Sequence, residues 1–204
     1  MGAATSETRE LGGERAQRIV EAMRASVARR GAAGSTFDHV AREAGVSRGL
    51  LHYHFGSKER LLLEVVRRDS AIRMERLGRA LEGAGSADDI IDALLHSLEE
   101  VVSDDPGFVI LHFELFTLAR RNGEIAAEMA ELGRRTRAHV AELLGRKQAE
   151  GVLRLGDEPE AVAGAVLALG DGLALRMLAE PDLDARPLLR AAVAAARALL
   201  AKPA

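Results

Sequence analysis

Between Ser47 and Lys58 the chain sets Arg48, Gly49, Leu50, His52, Tyr53 and His54 in immediate succession, and Tyr53 is its only tyrosine. On a helix at about 100° per residue, Leu51 and Phe55 fall together with Val46 nearby, making a packing side. Gly49, His52 and Tyr53 point away from it, with Leu50 and His54 at the flanks. A solvated face would carry Glu and Lys instead. These side chains suit a duplex. Arg48 can donate two hydrogen bonds to guanine, and Leu50 can touch a thymine methyl. Gly49 lets backbone approach closely, while Tyr53 and His54 can donate to phosphates. Lys58 adds a cation at the next helix start, where backbone N–H groups also point. His52 and His54 lie two apart, about 200° around a helix, so no shared metal is expected.

The elements that must position this face are short. Thr36 is the expected N-cap of a helix over Phe37–Ala44, and Ser47 that of a helix over Arg48–Phe55. Ala41 and Gly45 stand four apart: the small Ala permits a close crossing, and Gly takes a turn conformation that a Cβ resists. This spacing predicts a helix-turn-helix. A preceding helix, Glu14–Arg30, carries Ala16, Ile19, Val20, Met23 and Val27 on one stripe and ends near Gly31 and Gly34. Residues 1–13 read as a disordered arm. Ser57 caps a longer helix with Leu61, Leu62, Val65, Val66, Ile72 and Leu77 on it.

Beyond Gly83–Ser86, helices are expected at Ala87–Ser103, Pro106–Arg121, Glu124–Glu150, Pro159–Ala179 and Asp184–Ala201. Asp88-Asp89 suits a helix N-terminus, Pro106 a first turn, and Asn122-Gly123 a stop. Val152–Leu155 is too short to count as a strand. The chain is thus all-α, with about nine helices: a helix-turn-helix domain over residues 14–57 and a ligand-binding and dimerisation domain over 58–204.

Composition agrees. Aromatics are 3% of the 204 residues and cysteine is absent, which removes disulfides and thiolate metal sites and suits a reducing cytoplasm. Net charge is −3, but residues 1–60 carry ten Lys/Arg against seven Asp/Glu, and the rest eighteen against twenty-four. A mildly basic reader on an acidic body fits that split. The N-terminus has no apolar signal segment. Asp171 interrupts the most apolar stretch, Ala161–Leu175, so a soluble protein with no membrane partner is expected.

In the body, Phe108, His112 and Phe116 are four apart and share a stripe that could line an apolar pocket with one polar anchor. His96, Met129 and Arg176 are further candidates, against the plainer reading of core and surface. Gly164, Ala168 and Gly172 recur every fourth residue and leave a strip where a second copy could approach through the last two helices. An enzyme is not expected. There is no glycine-rich phosphate loop and no H-E-x-x-H pair, and adjacent acids such as Glu99-Glu100 diverge on a helix. No cofactor is expected either.

From Ile19 to Leu62, above all in VAREAGVSRGLLHYHFGSKERLL, the chain resembles the tetracycline-repressor (TetR) family of bacterial transcription regulators. Val40-Ala41, Ala44 to Ser47, Gly49, Leu51, Tyr53, Phe55, Lys58 and Leu61 match the family pattern. The resemblance implies base contacts at Arg48, Gly49 and Leu50, and phosphate contacts at Thr36, Ser47, Tyr53, His54 and Lys58. His52 stands where the family most often has a backbone-contacting tyrosine, and Val27 where a core Phe is common. The run LGDGLALRMLAEPDLD looks like the eighth helix and following loop of the choline-responsive (BetI-like) branch. By resemblance the protein is a homodimer that represses from a palindromic operator until a small-molecule inducer releases it. An activator, or a DNA-binding protein without a ligand, is the alternative.

Overall fold

In a computed structural model the backbone is described for residues 3–201, and side chains from residue 14. Among the described residues there are nine α-helices: α1 (Ala3–Gly34), α2 (Phe37–Ala44), α3 (Arg48–Phe55), α4 (Lys58–Glu82), α5 (Ala87–Glu99), α6 (Pro106–Ala119), α7 (Gly123–Ala149), α8 (Pro159–Ala179) and α9 (Arg186–Leu200). Among these residues the one departure from helix and loop is an isolated parallel bridge between Arg154 and Ala201. There Arg154 N–H donates to the Leu200 carbonyl at 3.1 Å and Gly156 N–H to that of Leu199 at 2.7 Å. The segment around Val152–Leu155 thus satisfies its backbone against the end of α9 without making a sheet.

Three expectations need correction. Helix α1 is described from Ala3, ahead of the start expected at Glu14; residues 1, 2 and 202–204 lie outside the described ones. At Gly31 (φ 69, ψ 168) the helix kinks, and its final turn is kept by the Ser35 hydroxyl donating to the Gly31 carbonyl at 2.8 Å. The helix expected over Ala87–Ser103 stops at Glu99 and widens into a π-helical turn over Glu100–Asp104. Its cap is Ser86, whose hydroxyl accepts Asp89 N–H at 3.1 Å while Asp89 accepts Gly85 N–H at 3.0 Å. The Ser86 hydroxyl and the Gly85 N–H hold the Asp89 carboxyl below its usual range. The last helix starts at Arg186, with Asp184 accepting its N–H at 3.2 Å.

The chain clusters into two compact units, one from its start to Asp69 together with Ile110–Met129, the other from Ser70–Val109 and Ala130 onward. Helices α4, α6 and α7 contribute residues to both, so these units do not divide at residue 57. In the first, Ile19, Val20, Met23 and Val27 of α1 are buried, as are Val40, Ala41, Leu51, Leu61, Leu62, Val65 and Val66. That is the stripe the 3.6-residue period requires. Ile72 leaves the stripe and is exposed. The core of the second unit joins Leu77, Leu81, Ile90, Ile91, Val140, Leu143, Leu144, Val162, Ala163, Val166 and Leu200. At 21 residues α8 is long and apolar enough, by length and composition, to cross a membrane. Here one side of it, Val162, Ala163 and Val166, lies in that core.

At the base of α6, Arg73 of α4 pairs with Asp105 at 2.9 Å, their side chains 12% and 20% exposed, and its guanidinium lies 4.5 Å from the Phe108 ring centroid. Asp105 follows the π turn, so this pair fixes the irregular junction between α5 and α6 to α4. Removing one member leaves a mostly buried charge. Asp105→Ala is therefore expected to cost about 3 kcal/mol, read as a lowered urea midpoint at fixed protein concentration. Arg73→Met in that background should recover most of the loss. A change under about 0.5 kcal/mol, the scale of an ordinary surface substitution, would show that the junction does not depend on the pair.

Candidate nucleic-acid interface

Helix α3 is eight residues long, too short to hold its own shape in water. Its geometry comes from its ends and one side. Gly45 takes φ 66, ψ 36, a left-handed conformation that turns α2 into α3, and Val46 N–H returns to the Ala41 carbonyl at 2.9 Å. Thr36 accepts His39 N–H at 3.3 Å at the head of α2. Ser47 accepts Leu50 N–H at 3.2 Å at the head of α3. Each hydroxyl uses a lone pair for capping and keeps its proton to donate elsewhere. Gly56 closes α3 with φ 72, its N–H returning to the His52 carbonyl at 3.0 Å, and Ser57 caps α4 by accepting Arg60 N–H at 3.2 Å.

Burial follows the helical phase. Leu51 is fully buried and Val46 and Phe55 partly so, whereas Arg48, Gly49, His52, Tyr53 and His54 are exposed and Leu50 is intermediate. Tyr53 is 84% exposed, the most exposed of the large apolar side chains. It meets His54 edge-on at 5.3 Å between ring centroids. Gly49 has room for a side chain within the fold, since an added Cβ would meet only the Ser47 hydroxyl, at 3.9 Å.

Two of the expected contact residues already have partners. His52 packs edge-on against Phe37, with centroids 4.8 Å apart, and its Nδ1 lies 3.3 Å from the Gly56 carbonyl. It braces α3 against α2 and the following turn, leaving Nε2 to face outward. Lys58 donates to the Ala33 carbonyl at 3.2 Å, which ties the start of α4 to the end of α1 and leaves two ammonium hydrogens. Sequence reasoning missed a third link: Arg48 Nη1 lies 3.4 Å from Asp38 Oδ1, across the two helices. At ten residues apart it falls outside any helical period, so no pattern marks it.

The six side chains expected around a ligand are divided between the two units. His96 is exposed and sits 3.6 Å from Glu100, and Arg176 pairs with Glu180 at 2.5 Å, each one turn along its own helix. Both are exposed in the single chain. Phe108 stacks under Arg73 in the second unit, while His112, Phe116 and Met129 belong to the first. His112 and Phe116 do meet, edge-on at 5.0 Å, with Phe116 half-exposed and Met129 buried. Among the described residues no cluster of three His, Asp or Glu could hold a metal.

Comparison with known proteins identifies the arrangement. Residues 19–65 match the bacterial regulatory proteins of the tetR family, and residues 87–202 match the C-terminal domain of BetI-type transcriptional repressors. The HTH-type transcriptional regulator BetI of Agrobacterium fabrum is 29% identical over 165 residues, spanning 79% of this chain and 76% of that protein. A TetR-family transcriptional regulator from Rhodococcus sp. superposes with a TM-score of 0.73 at 26% identity, over 93% of this chain and 100% of that one. A transcriptional regulator from Saccharomonospora viridis in complex with choline shares the fold, with a TM-score of 0.73 at 23% identity over 93% and 100% of the two chains. A capped helix-turn-helix matched over its whole length, followed by a matched helical body, leaves one assignment: this chain belongs to the tetracycline-repressor family, with a BetI-type C-terminal part, and is a DNA-binding transcriptional regulator.

Proposed function

We propose that the protein is a homodimeric repressor, acting in the cytoplasm, that holds a palindromic operator through two copies of α3 and is released by a small-molecule inducer. The observation that carries the reading is the exposed face of α3. Tyr53 at 84% exposure beside Arg48, Gly49 and His54 is unfavourable in water and suited to a duplex groove. In this reading residues 14–57 form the DNA-reading domain and 58–204 the ligand-binding and dimerisation domain. Arg48, Gly49 and Leu50 contact bases. Thr36, Ser47, Tyr53, His54 and Lys58 contact phosphates through the protons their caps and tethers leave over, and His52 contributes its outward Nε2.

The dimer reading rests on α8 and α9. Ala168, Gly172 and Leu175 lie exposed along α8, and Leu188 is exposed on α9, a strip of small and apolar groups facing away from the core. Gly164, the third member of the small-residue strip, is instead covered by Arg137, which lies 3.4 Å from where a Cβ would be. Pairing two such strips places two reader helices on one two-fold axis, and a palindrome requires them roughly 34–36 Å apart. An inducer that favours a different spacing needs about 1–3 kcal/mol of coupling to relieve repression. His112 and Phe116 are the side chains we would test first for contact with it. A quaternary ammonium such as choline is recognised by aromatic cages, and this chain has no tryptophan and its only tyrosine on α3.

The first experiment titrates the protein against its own upstream intergenic DNA at two salt concentrations. Saturable, competitor-resistant binding that weakens with salt and is lost in Arg48→Ala and Tyr53→Ala is expected. Weak, competitor-sensitive binding there would send the search to genome-wide fragments. Gly49→Ala separates fold from function: added helix propensity should stabilise the protein by up to about 1 kcal/mol. Its methyl should nonetheless lower operator affinity about tenfold, the scale of one lost base contact. If affinity is unchanged, backbone approach at Gly49 is wrong. Gly172→Arg, with nothing within 4 Å of its Cβ to clash with, is expected to sediment as a folded monomer. A dimer of unchanged affinity would remove α8 from the interface.

A further inference from the structure

The link between Arg48 and Asp38 joins α3 to α2. Arg48 is the first residue of α3, and Asp38 lies in the first turn of α2. Ser47 caps the one helix and Thr36 the other, so the backbone under both side chains is fixed. Their separation is then set by the crossing of α2 and α3. Both side chains are well exposed, 61% and 60%, and 3.4 Å is long for a charge-assisted bond. In water such a pair adds little to stability. Against DNA the surroundings change, because a duplex closing over the pair displaces water and strengthens whatever charge contacts remain.

A carboxylate at this edge of the reader is otherwise a liability. Facing phosphates, it weakens binding to every sequence alike. The other acid of the two reader helices, Glu43, is drawn away to Arg29 of α1 at 2.5 Å. Asp38 is held on the α3 side by Arg48. A guanidinium is a rigid fork with five donors. A bond through Nη1 biases the orientation of the group and leaves the Nε–Nη2 edge, whose two parallel N–H groups match O6 and N7 of guanine. An untethered Arg48 could swing to a phosphate or to the single acceptors of other bases.

We propose that Asp38 is a positioning residue for Arg48, orienting its guanidinium so that the operator is read as guanine at one base pair of each half-site. The proposal rests on the reading of Arg48 as a base contact, and it predicts opposite signs for two measurements on one variant. Asp38 lowers affinity for DNA in general and raises discrimination at one position.

Sites are selected from a randomised duplex library with the full-length wild-type chain. Duplexes carrying each base pair at every half-site position are then titrated with wild type, Asp38→Ala, Arg48→Ala and the double variant, with a thermal melt of each. Arg48→Ala is expected to abolish the guanine preference at one position. Asp38→Ala should reduce that same preference about fivefold or more while binding unrelated duplex more tightly. In the Arg48→Ala background Asp38→Ala should leave the preference unchanged. Asp38→Ser, which suits a first helical turn but is too short to reach Arg48, decides the question if the alanine variant does not fold. If Arg48→Ala loses the preference and folded Asp38 variants keep it, Asp38 positions nothing and the proposal is overturned. If Arg48→Ala itself keeps every preference, the base-contact reading of Arg48 falls and takes the proposal with it.

Discussion

Gly45 at φ 66, ψ 36 turns the chain from α2 to α3 within three residues, and the exposed face of the reader depends on that turn. An eight-residue helix has too few internal hydrogen bonds to offset the cost of nucleating it. It persists because Ser47 supplies one of the orphan N–H groups with an acceptor and because Leu51 is fully buried. The phase of α3 is thereby locked. Burying Leu51 leaves Gly49, His52 and Tyr53 facing outward, and no rotation about the helix axis could bury Tyr53 without exposing Leu51. The structure thus exchanges the solvation of one tyrosine for a fixed reading face.

The ion pairs divide by what lies around them. Arg73–Asp105 is largely withdrawn from water and holds an irregular junction, so losing one member leaves an unmatched buried charge. Arg60–Glu124 and Arg67–Glu128 join α4 to α7 within the first unit while exposed to solvent, where each contributes little alone. Arg24–Asp69 is intermediate: the arginine is exposed and the aspartate nearly buried on α4. Three such links along one helix restrain α4 at several points. Exposure makes Arg60–Glu124 and Arg67–Glu128 sensitive to salt, unlike the pair at the π turn.

The parts of this molecule legible in its sequence were those written in local periods. The caps Thr36, Ser47 and Ser57, the turn glycine Gly45, and the buried stripe from Ile19 to Val27 all follow rules that span four residues or fewer. Where the reading fell short, the cause lies at longer range. The π turn at Glu100–Asp104 falls in a segment that offers no glycine or proline to mark a stop before Pro106. Only Asp105, 32 residues from Arg73 in sequence, marks the place. The pairing of His96 with Glu100 and of Arg176 with Glu180 depends on rotamers that composition does not state. His52 is exposed, as its angle on the helix requires, but the packing of its ring on Phe37 is a choice of rotamer that helical phase cannot supply.

The rigidity of the reader also limits how a ligand could control it. Because α3 is held by a left-handed glycine, the Ser47 cap and a fully buried leucine, distorting it means breaking several of these together. The cap is worth about 1 kcal/mol, burial of Leu51 roughly 1.5–3 kcal/mol, and the turn set by Gly45 is lost with them. The coupling available to an inducer, about 1–3 kcal/mol, is too small to undo that set. It is large enough to choose between two placements of an intact reader. In the dimeric repressor proposed for this chain, control therefore acts on where the two α3 helices stand, while what each one reads stays fixed by residues that no inducer touches.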